Sequence, residues 1–372
     1  MKFFIEKNEL YGALQVLSKV VPLRTTLPSL GCIFFDCQSK NLNLRATDLE
    51  VSIEVLIDAV EVEESGDVCI PFSKLNEIIG VMPNEKICFS LTDIGKIGIS
   101  STFGNYTIMG QKTDEFPSRF SLENTKKITL KSQELNKIIN NTTYAISKDE
   151  MKPALQGVLF EIEKNNITAV ATDGHRLVCY KKNIEEEISF TGSVVVPKKF
   201  LNIISHQDDK GETTDIILSE NHVKISKKNI ITTSRIIKEK YPEYKKVIPQ
   251  DNNLEAVIEK NTFAESIKRV SVFSNKSTKQ VSTEFDQNGI TISTEDPENI
   301  TTGKEKLDCN YDGEKLLIGY NANYLYEVLK HQEGEEIKIL LKTPLTASIF
   351  MPLEQKPGET IKTLLMPIRI ND

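Results

Sequence analysis

One short segment of the sequence combines residue types that could carry out catalysis. Residues 173–176 read Asp-Gly-His-Arg, and an aspartate close to a histidine can serve as an acid/base pair. The alternative is a turn between two strands, in which Asp-Gly reverses the chain and His175 is half exposed. Thr47 and Asp48 stand in the matching place 125 positions earlier, where no Gly-His-Arg follows. The shared aspartate therefore favours an architectural role, whereas Gly-His-Arg-Leu at 174–177 marks a task that only one copy performs.

Other signatures of catalysis or metal binding are missing from the sequence. Thr302-Gly303-Lys304 lacks the earlier glycine of a phosphate-binding loop, and no GxSxG or HExxH segment occurs. The 4 histidines are dispersed, and the 6 cysteines are scattered without a CxxC pair. The sequence therefore predicts no catalytic residue, no metal and no cofactor, and reduced thiols in a cytoplasmic protein.

The composition sets the size and the class of the protein. The chain has 372 residues, 27% of them charged, and a formal net charge of -7. This length is typical of two or three domains, and the acidic balance argues against a wholly basic nucleic-acid coat. The first residues mix acid and base, and no apolar run approaches the ~18 residues of a membrane span. We therefore expect no signal peptide and no membrane association.

An internal repeat of about 125 residues organises the chain. Pro28 and Pro153 precede similar apolar segments, and Pro117 and Pro242 show the same offset of 125 positions. Residues 69–75 resemble residues 195–201, and residues 290–296 and 318–321 indicate a fainter third copy. We therefore predict three domains, at 1–125, 126–250 and 251–372.

Each copy shows the same succession of apolar patterns. It opens with an amphipathic helix, marked in the first copy by Leu10, Leu14, Leu17 and Val21. Alternating strands, a second helix and further strands follow, and Asn288-Gly289 predicts a hairpin turn with positive φ at both positions. Six helices and many antiparallel strands in three copies predict an α+β repeat architecture.

Basic residues concentrate on or beside the predicted helices, whereas acidic runs such as 61–64, 185–187 and 333–336 fall in predicted loops. If the helices share one side, that side is basic and could contact phosphates without reading a base sequence. The alternative is that these are ordinary solvated side chains. The basic positions are Lys19, Arg24, Lys74, Lys137, Lys148, Lys152, Lys198, Lys199, Lys268, Arg269, Lys276 and Lys279.

Several segments resemble the family of bacterial sliding clamps, the beta subunits of DNA polymerase III. They are residues 171–177 (Ala-Thr-Asp-Gly-His-Arg-Leu), 241–244 (Tyr-Pro-Glu-Tyr), 364–370 (Leu-Leu-Met-Pro-Ile-Arg-Ile) and 25–30 (Thr-Thr-Leu-Pro-Ser-Leu). The resemblance covers the whole chain in order. It implies three clamp domains, each with two helices on antiparallel sheets, and a head-to-tail homodimeric ring. It also implies a non-catalytic processivity factor that slides on double-stranded DNA.

The resemblance also implies site residues and partners. The partners are the polymerase alpha subunit, the clamp loader and other replication and repair proteins that carry a short peptide. Lysine at 246 replaces the arginine that relatives often show. The implied peptide pocket comprises Leu155, Thr172, Gly174, His175, Arg176, Leu177, Pro242, Lys246, Val247, Tyr324, Leu364, Met366, Pro367 and Arg369. The implied DNA contacts are Arg24, Lys148, Lys152, Lys198 and Lys199, and the implied dimer seam comprises Lys74, Tyr106, Ile108, Val272, Phe273 and Glu298.

Two other interpretations of the sequence stay open at this point. An enzyme could use Asp173, His175 and Arg176 in a cleft between domains, which predicts a small-molecule substrate and a rate that depends on the pKa of His175. A repeat scaffold could bind proteins only, which predicts no retention on closed circular DNA.

Overall fold

The computed structural model describes residues 1–58, 61–92, 95–184, 187–205 and 213–370. The chain forms two compact units, Met1–Gln133 with His206–Ile236, and Glu134–Ser205 with Ile237–Asp372, here called the first and the second unit. The α-helices of the described ranges are α1 (Lys7–Leu17), α2 (Phe72–Val81), α3 (Ser132–Thr142), α4 (Lys198–Ser205), α5 (Lys260–Ser271) and α6 (Ala322–Lys330). They confirm the prediction of two helices in each copy of the repeat.

Antiparallel strands make up most of both units. In the first copy of the repeat they are β1 (Lys2–Glu6), β2 (Cys32–Gln38), β3 (Asn41–Thr47), β4 (Val51–Ile57), β5 (Glu61–Glu64), β6 (Gly66–Pro71), β7 (Lys86–Leu91), β8 (Lys96–Ser100) and β9 (Asn105–Met109). In the second copy they are β10 (Lys126–Lys131), β11 (Gly157–Glu163), β12 (Asn166–Thr172), β13 (Arg176–Asn183), β14 (Gly192–Pro197), β15 (Thr213–Leu218), β16 (His222–Lys227) and β17 (Ile230–Arg235). In the third copy they are β18 (Leu254–Glu259), β19 (Gln280–Asp286), β20 (Gly289–Asp296), β21 (Thr301–Leu307), β22 (Asn310–Tyr311), β23 (Leu316–Asn321), β24 (Glu336–Leu341), β25 (Ser348–Pro352) and β26 (Glu359–Leu365).

The first unit contains two sheets, and one of them joins strands from two copies. The five-stranded sheet has the order β5-β1-β7-β8-β9 and belongs to the first copy. The eight-stranded sheet has the order β10-β15-β16-β17-β4-β3-β2-β6, so the antiparallel pair β17–β4 links the second copy to the first. Strand β4 buries alternate side chains on one face, which matches the alternation read from its sequence.

The second unit repeats this arrangement. Its nine-stranded sheet has the order β14-β11-β12-β13-β26-β25-β24-β18-β22, so the pair β13–β26 links the second copy to the third. A four-stranded sheet, β21-β20-β19-β23, belongs to the third copy. In the third copy, helix α5 packs against helix α6. Their buried side chains join one apolar core that includes Phe263, Ile267, Leu325 and Val328.

The structure corrects three details of the sequence prediction. A short strand opens each copy before its first helix, because β1, β10 and β18 each pair with a later strand of their own copy. Helix α1 ends at Leu17, so Val21 lies beyond it and is only half buried. The hairpin turn is formed by residues 287–288, and Gly289 already pairs with Asp286 at the start of β20. Only Gly289 of the predicted Asn288-Gly289 pair has a positive φ, of 122°. The three-domain division at 125 and 250 stays a prediction.

Candidate peptide cleft and charged surfaces

The segment 172–176 is a turn between β12 and β13. The carboxylate of Asp173 accepts hydrogen bonds from the backbone N–H groups of His175 (2.9 Å) and Arg176 (3.0 Å). The Thr172 hydroxyl donates to the Arg176 carbonyl (2.6 Å) and accepts from the Gly174 N–H (3.1 Å). Gly174 has a φ of 92°, a conformation that glycine adopts without strain.

The first copy builds the same turn with the same bonds. Asp48 accepts from the N–H groups of Glu50 (2.9 Å) and Val51 (2.7 Å). The Thr47 hydroxyl donates to the Val51 carbonyl (2.9 Å) and accepts from the N–H of Leu49, which has a φ of 75°. The predicted architectural role of the repeated aspartate is thereby confirmed, since the bonds do not depend on the side chains that differ.

Arg176 supplies what the first copy lacks at this turn. Its side chain is only 6% exposed, and its guanidinium donates to the carboxylate of Asp173 (3.2 Å), to the carboxylate of Glu327 and to the Tyr144 carbonyl (2.8 Å). The same guanidinium lies over the rings of Tyr324 (4.8 Å) and Tyr144 (5.3 Å). Two carboxylates and two aromatic faces thus compensate the burial of this cation.

His175 and Met366 form an exposed edge beside this buried network. The His175 ring stacks on the Tyr324 ring at 5.6 Å between centroids. The backbone carbonyl of His175 accepts a hydrogen bond from the Met366 N–H (2.8 Å). The Met366 side chain is 47% exposed although the two residues before it are buried. The structure therefore brings together His175, Arg176, Tyr324 and Met366, four residues of the pocket that the resemblance implies.

An apolar cluster lies next to this edge. Leu155, Leu177 and Leu364 are each at most 8% exposed and belong to one core cluster, and Leu177 and Leu364 are directly opposite across β13 and β26. Tyr241 and Tyr244 belong to the same cluster. Thr172 is buried, and its hydroxyl is hydrogen-bonded within the turn. Three of the predicted pocket residues therefore form a buried apolar base, whereas most of the others form the exposed surface around it.

Residues 242–247 contribute the remaining exposed positions. Tyr244 anchors this segment, because its hydroxyl donates to the carboxylate of Glu161 (2.6 Å). Pro242 and Lys246 are exposed, and Val247 is 59% exposed. Pro367 is half buried and Arg369 is exposed. Asn371 and Asp372, the last two residues of the sequence, lie outside the described residues.

A cleft of about 610 Å³ lies on the other side of His175 and Arg176. Its walls include Lys148, Lys152 and Lys330. Burial lowers the pKa of the neighbouring Lys198, and the positive charges of Lys148 and Arg176 lower that pKa further. Lys148 and Lys152 of the predicted DNA contacts therefore line one cleft with Lys198 nearby, and the carboxylates of Asp149, Asp173 and Glu327 line the same cleft. Lys199 is exposed on α4, and Arg24 is exposed in the first unit.

The residues predicted for a dimer seam lie at two open sheet edges. Tyr106 and Ile108 are on β9, the last strand of its sheet order, and Lys74 is exposed on α2. Val272 and Phe273 follow α5 and are 77% and 44% exposed, next to β21, the last strand of the four-stranded sheet. Glu298 is exposed just before β21.

The sequence analysis missed four residues that shape this part of the molecule. Tyr144 and Glu327 hold Arg176, and Tyr241 and Tyr244 support the apolar cluster. Glu327 follows Tyr324 by three positions on α6, so the helical spacing places both on one side. Tyr144 lies in a short 3₁₀ helix, Thr143–Ala145, and no sequence pattern connects it to Arg176. Burial raises the pKa of the Tyr144 hydroxyl to about 12, so the ring stays neutral beside the guanidinium.

The described part of the chain also contains no helix that is long and apolar enough to cross a membrane. Among the same residues, no group of His, Cys, Asp or Glu side chains is arranged to hold a metal ion.

Three copies of an α+β unit, joined by sheets that neighbouring copies share, define the DNA-clamp class of fold. Family models of the N-terminal, central and C-terminal domains of the DNA polymerase III beta subunit match residues 1–120, 129–243 and 245–369. The chain belongs to the family of DNA polymerase III beta subunits, the bacterial sliding clamps.

Individual relatives match along the full length. The chain is 28% identical to the beta sliding clamp of Bacillus subtilis over 380 residues, covering 99% of this chain and 100% of that protein. It is 26% identical to the beta sliding clamp of Pseudomonas putida over 371 residues, covering 100% of both. The crystal structure of the DNA polymerase sliding clamp from Bacillus subtilis superposes with a TM-score of 0.95 at 27% identity, covering 100% of both chains. A putative beta subunit from Eubacterium rectale gives a TM-score of 0.93 at 25% identity, also with complete coverage.

Proposed function

We propose that this clamp encircles double-stranded DNA as a head-to-tail homodimer and tethers partner proteins through the cleft around Leu177, Leu364 and Met366. The observation that carries the proposal is the arrangement of side chains around Leu177 and Leu364. It combines a buried apolar base with exposed apolar side chains, which is the surface that an apolar peptide anchor needs. We also propose that the protein has no catalytic activity of its own and acts in the cytoplasm.

The repeat itself supports a ring. Strands β4, β13 and β21 start 125 positions apart, at 51, 176 and 301, and β9 and β17 start at 105 and 230. Within the chain, β4 pairs with β17, and β13 pairs with β26. Among the terminal strands of the four sheets, β9 and β21 are the ones that match β17 and β4 by this offset, so the equivalent third pairing joins β21 of one protomer to β9 of the next. Two such seams close a ring of two chains and six domains, with boundaries near 125 and 250.

The exposed side chains at these edges suit a seam. Tyr106 on β9 and Val272 and Phe273 after α5 are exposed and largely apolar, and Ile108 on β9 is half buried. Lys74 and Glu298 add opposite charges. Exposed aromatic and branched side chains at a sheet edge would promote aggregation unless a partner strand covered them.

The charge distribution supports sliding on DNA. Arg24, Lys148, Lys152, Lys198 and Lys199 provide positive charge although the chain carries a net charge of -7. Phosphate contacts of this kind are independent of base sequence and weaken with salt. A closed ring keeps DNA by topology, so weak and mobile contacts are sufficient and the overall acidity is no obstacle.

The cleft supports binding of the partners. The polymerase alpha subunit, the clamp loader and repair factors would each insert leucine and phenylalanine side chains of a short peptide over Leu155, Leu177 and Leu364. His175 and Arg369 provide exposed polar groups at the rim, and Tyr324 supports His175 from below. The pocket would also include Thr172, Gly174, Arg176, Pro242, Lys246, Val247 and Pro367.

Peptide binding is the direct test of this proposal. A fluorescent Gln-Leu-Ser-Leu-Phe peptide is titrated into the wild type, into Met366→Ala and into the double variant Leu177→Ala, Met366→Ala. Removing an anchor contact of this kind costs about 1–2 kcal/mol, so Met366→Ala should weaken binding by roughly 5- to 30-fold. Met366 is half exposed, so this variant should unfold at the wild-type denaturant concentration.

Val81→Ala serves as the control, since Val81 is an exposed apolar side chain on α2 in the first unit. It should bind the peptide like the wild type. Saturable binding that survives in the folded double variant would refute the location of the cleft. No binding by the folded wild type would refute the partner proposal.

A further inference from the structure

The first unit contains the structural counterpart of the peptide cleft. Strands β4 and β17 meet there as β13 and β26 do in the second unit. The Arg235 N–H donates to the Glu50 carbonyl (2.9 Å), just as the Met366 N–H donates to the His175 carbonyl (2.8 Å). Since the turns before β4 and β13 also share their hydrogen bonds, the two places have the same backbone frame.

The side chains on this frame differ in charge. In the second unit, Leu159, Val170 and Cys179 are directly opposite one another on β11, β12 and β13. In the first unit the same row, on β2, β3 and β4, consists of Phe34, Arg45 and Glu54. Tyr241 and Tyr244, which complete the apolar cluster, correspond by the offset of 125 to Phe116 and Arg119. The position that is apolar in the second unit is therefore cationic and aromatic in the first unit.

Arg45 is the unusual residue of this row. It is only 8% exposed, and its guanidinium lies over the rings of Phe34 (4.9 Å) and Phe116 (5.1 Å). Its Nε is buried and has no hydrogen-bond partner in the described part of the chain. The neighbouring carboxylate of Glu54 instead accepts a hydrogen bond from Arg119 (2.9 Å). In the described residues no carboxylate is hydrogen-bonded to Arg45, although the negative charges of Glu54 and Asp36 act on it.

Such an arrangement is costly without a further anion. A buried cation loses its hydration, and cation–π contacts replace only part of that loss. Burial lowers the pKa of Arg45, and the charge of Arg119 lowers it further. In the second unit the comparably buried Arg176 has two carboxylate partners, which shows how this chain compensates a buried guanidinium elsewhere.

We propose that the counterpart cleft of the first unit is a second docking site, which binds an acidic peptide through a carboxylate paired with Arg45. This rests on the proposed function, because the shared backbone frame suggests an extended peptide as the occupant. The exposed Arg235 and Arg119 add positive charge for flanking acidic residues.

The test uses two labelled probe peptides, Asp-Glu-Phe-Asp-Glu and its uncharged match Asn-Gln-Phe-Asn-Gln. Both are titrated by fluorescence anisotropy into the full-length wild type, Arg45→Leu, Arg45→Lys and Leu177→Ala, Met366→Ala. We expect the acidic peptide to bind the wild type and the double variant equally. Binding should be at least tenfold weaker in Arg45→Leu and for the uncharged peptide, and Arg45→Lys should retain part of the affinity. Arg24→Gln is the control, since it removes an exposed cation of the same unit.

Several results would overturn the proposal. They are absence of binding to the wild type, equal binding to Arg45→Leu, and equal weakening in Arg24→Gln. Competition by a DNA duplex or by inorganic phosphate that Arg45→Leu abolishes would assign the site to DNA or to a free anion instead. Urea unfolding provides a second readout, because removal of an uncompensated cation should leave the midpoint of Arg45→Leu unchanged or higher. A large loss of stability would make Arg45 structural. Binding of Gln-Leu-Ser-Leu-Phe tests the peptide cleft separately, since Arg45→Leu should not alter it.

Discussion

The pairing of Asp173 with Arg176 permits a sharp prediction, because the first copy contains the same turn without the arginine. Asp173→Asn keeps an oxygen that can accept from the His175 and Arg176 N–H groups but removes the negative charge. Hydrogen bonds to charged groups contribute about 1.5–3 kcal/mol, and Arg176 is almost fully buried. We expect Asp173→Asn to lower the free energy of unfolding of the second unit by about that amount.

A double-mutant cycle isolates this contribution. Arg176→Val gives the second copy the residue that the first copy has at position 51, so Asp173→Asn in that background should cost less than about 1 kcal/mol. Asp48→Asn alters the same turn next to Val51 and reports the effect of the substitution on the first unit, where no arginine follows.

The measurement is urea unfolding followed by far-ultraviolet circular dichroism, since the chain has no tryptophan. Hydrogen exchange of peptides that cover 172–177 and 47–52 assigns each loss to its turn. Equal losses for Asp173→Asn with and without Arg176 would refute the reasoning, because the aspartate would then act only through the backbone bonds that both copies share.

Four further predictions follow from the described geometry. Val272→Asp with Phe273→Asp should halve the native mass, and an unchanged mass would contradict the proposed seam. Arg24→Glu with Lys199→Glu should shorten retention on closed circular DNA and leave peptide affinity unchanged; a parallel loss of both would indicate misfolding instead. Burial alone would raise the pKa of Glu359, but Lys137 and Lys182 outweigh it and hold that pKa below its ordinary value. The stabilisation by this carboxylate is therefore present above the ordinary glutamate pKa of about 4.3 and is lost as the pH falls through the lowered pKa, so the urea midpoints of wild type and Glu359→Gln should converge as the medium becomes more acidic. Gly289→Ala should destabilise by about 1–3 kcal/mol because an added Cβ would collide with the Leu307 carbonyl, whereas Gly12→Ala, with open space on α1, should stabilise by about 0.5–1 kcal/mol.

The sequence was sufficient to predict the repeated architecture, because each copy carries the same local signals. The offset of 125 recurs in prolines, in the Thr-Asp turns and in the starts of β4, β13 and β21. The amphipathic spacing of Leu135, Ile138 and Ile139 on α3 is visible without any structure. What the sequence could not reveal is that β4 pairs with β17, since pairing between distant strands leaves no local pattern.

The candidate site shows the same division. Residues 174–177 attracted attention because they depart from the repeat, and residues 364–370 because they resemble the clamp family. The structure brings several of them together around Leu177 and Leu364. Tyr144 and Glu327 were missed, because what makes them important is a contact with Arg176 across 32 and 151 positions of sequence. Residues at such distances can be identified only once the fold has placed them.

The comparison of copies also explains why departures from the repeat deserve the closest attention. The copies of a repeat share one backbone conformation. A residue whose chemistry differs from that of its counterpart in another copy is therefore not needed to form that backbone. Arg176 and Arg45 are both buried arginines of this kind, at positions where the other copy has valine. The first has two carboxylate partners in the chain, and the second has a buried Nε without a partner in the described residues. A buried arginine is often no more stabilising than a well-packed apolar residue, so the valine found at the equivalent position of the other copy would provide the same folding stability. We therefore interpret both arginines as residues for binding. Arg176 supports the surface of the proposed peptide cleft, and Arg45 is available to pair with an anionic group of a bound partner.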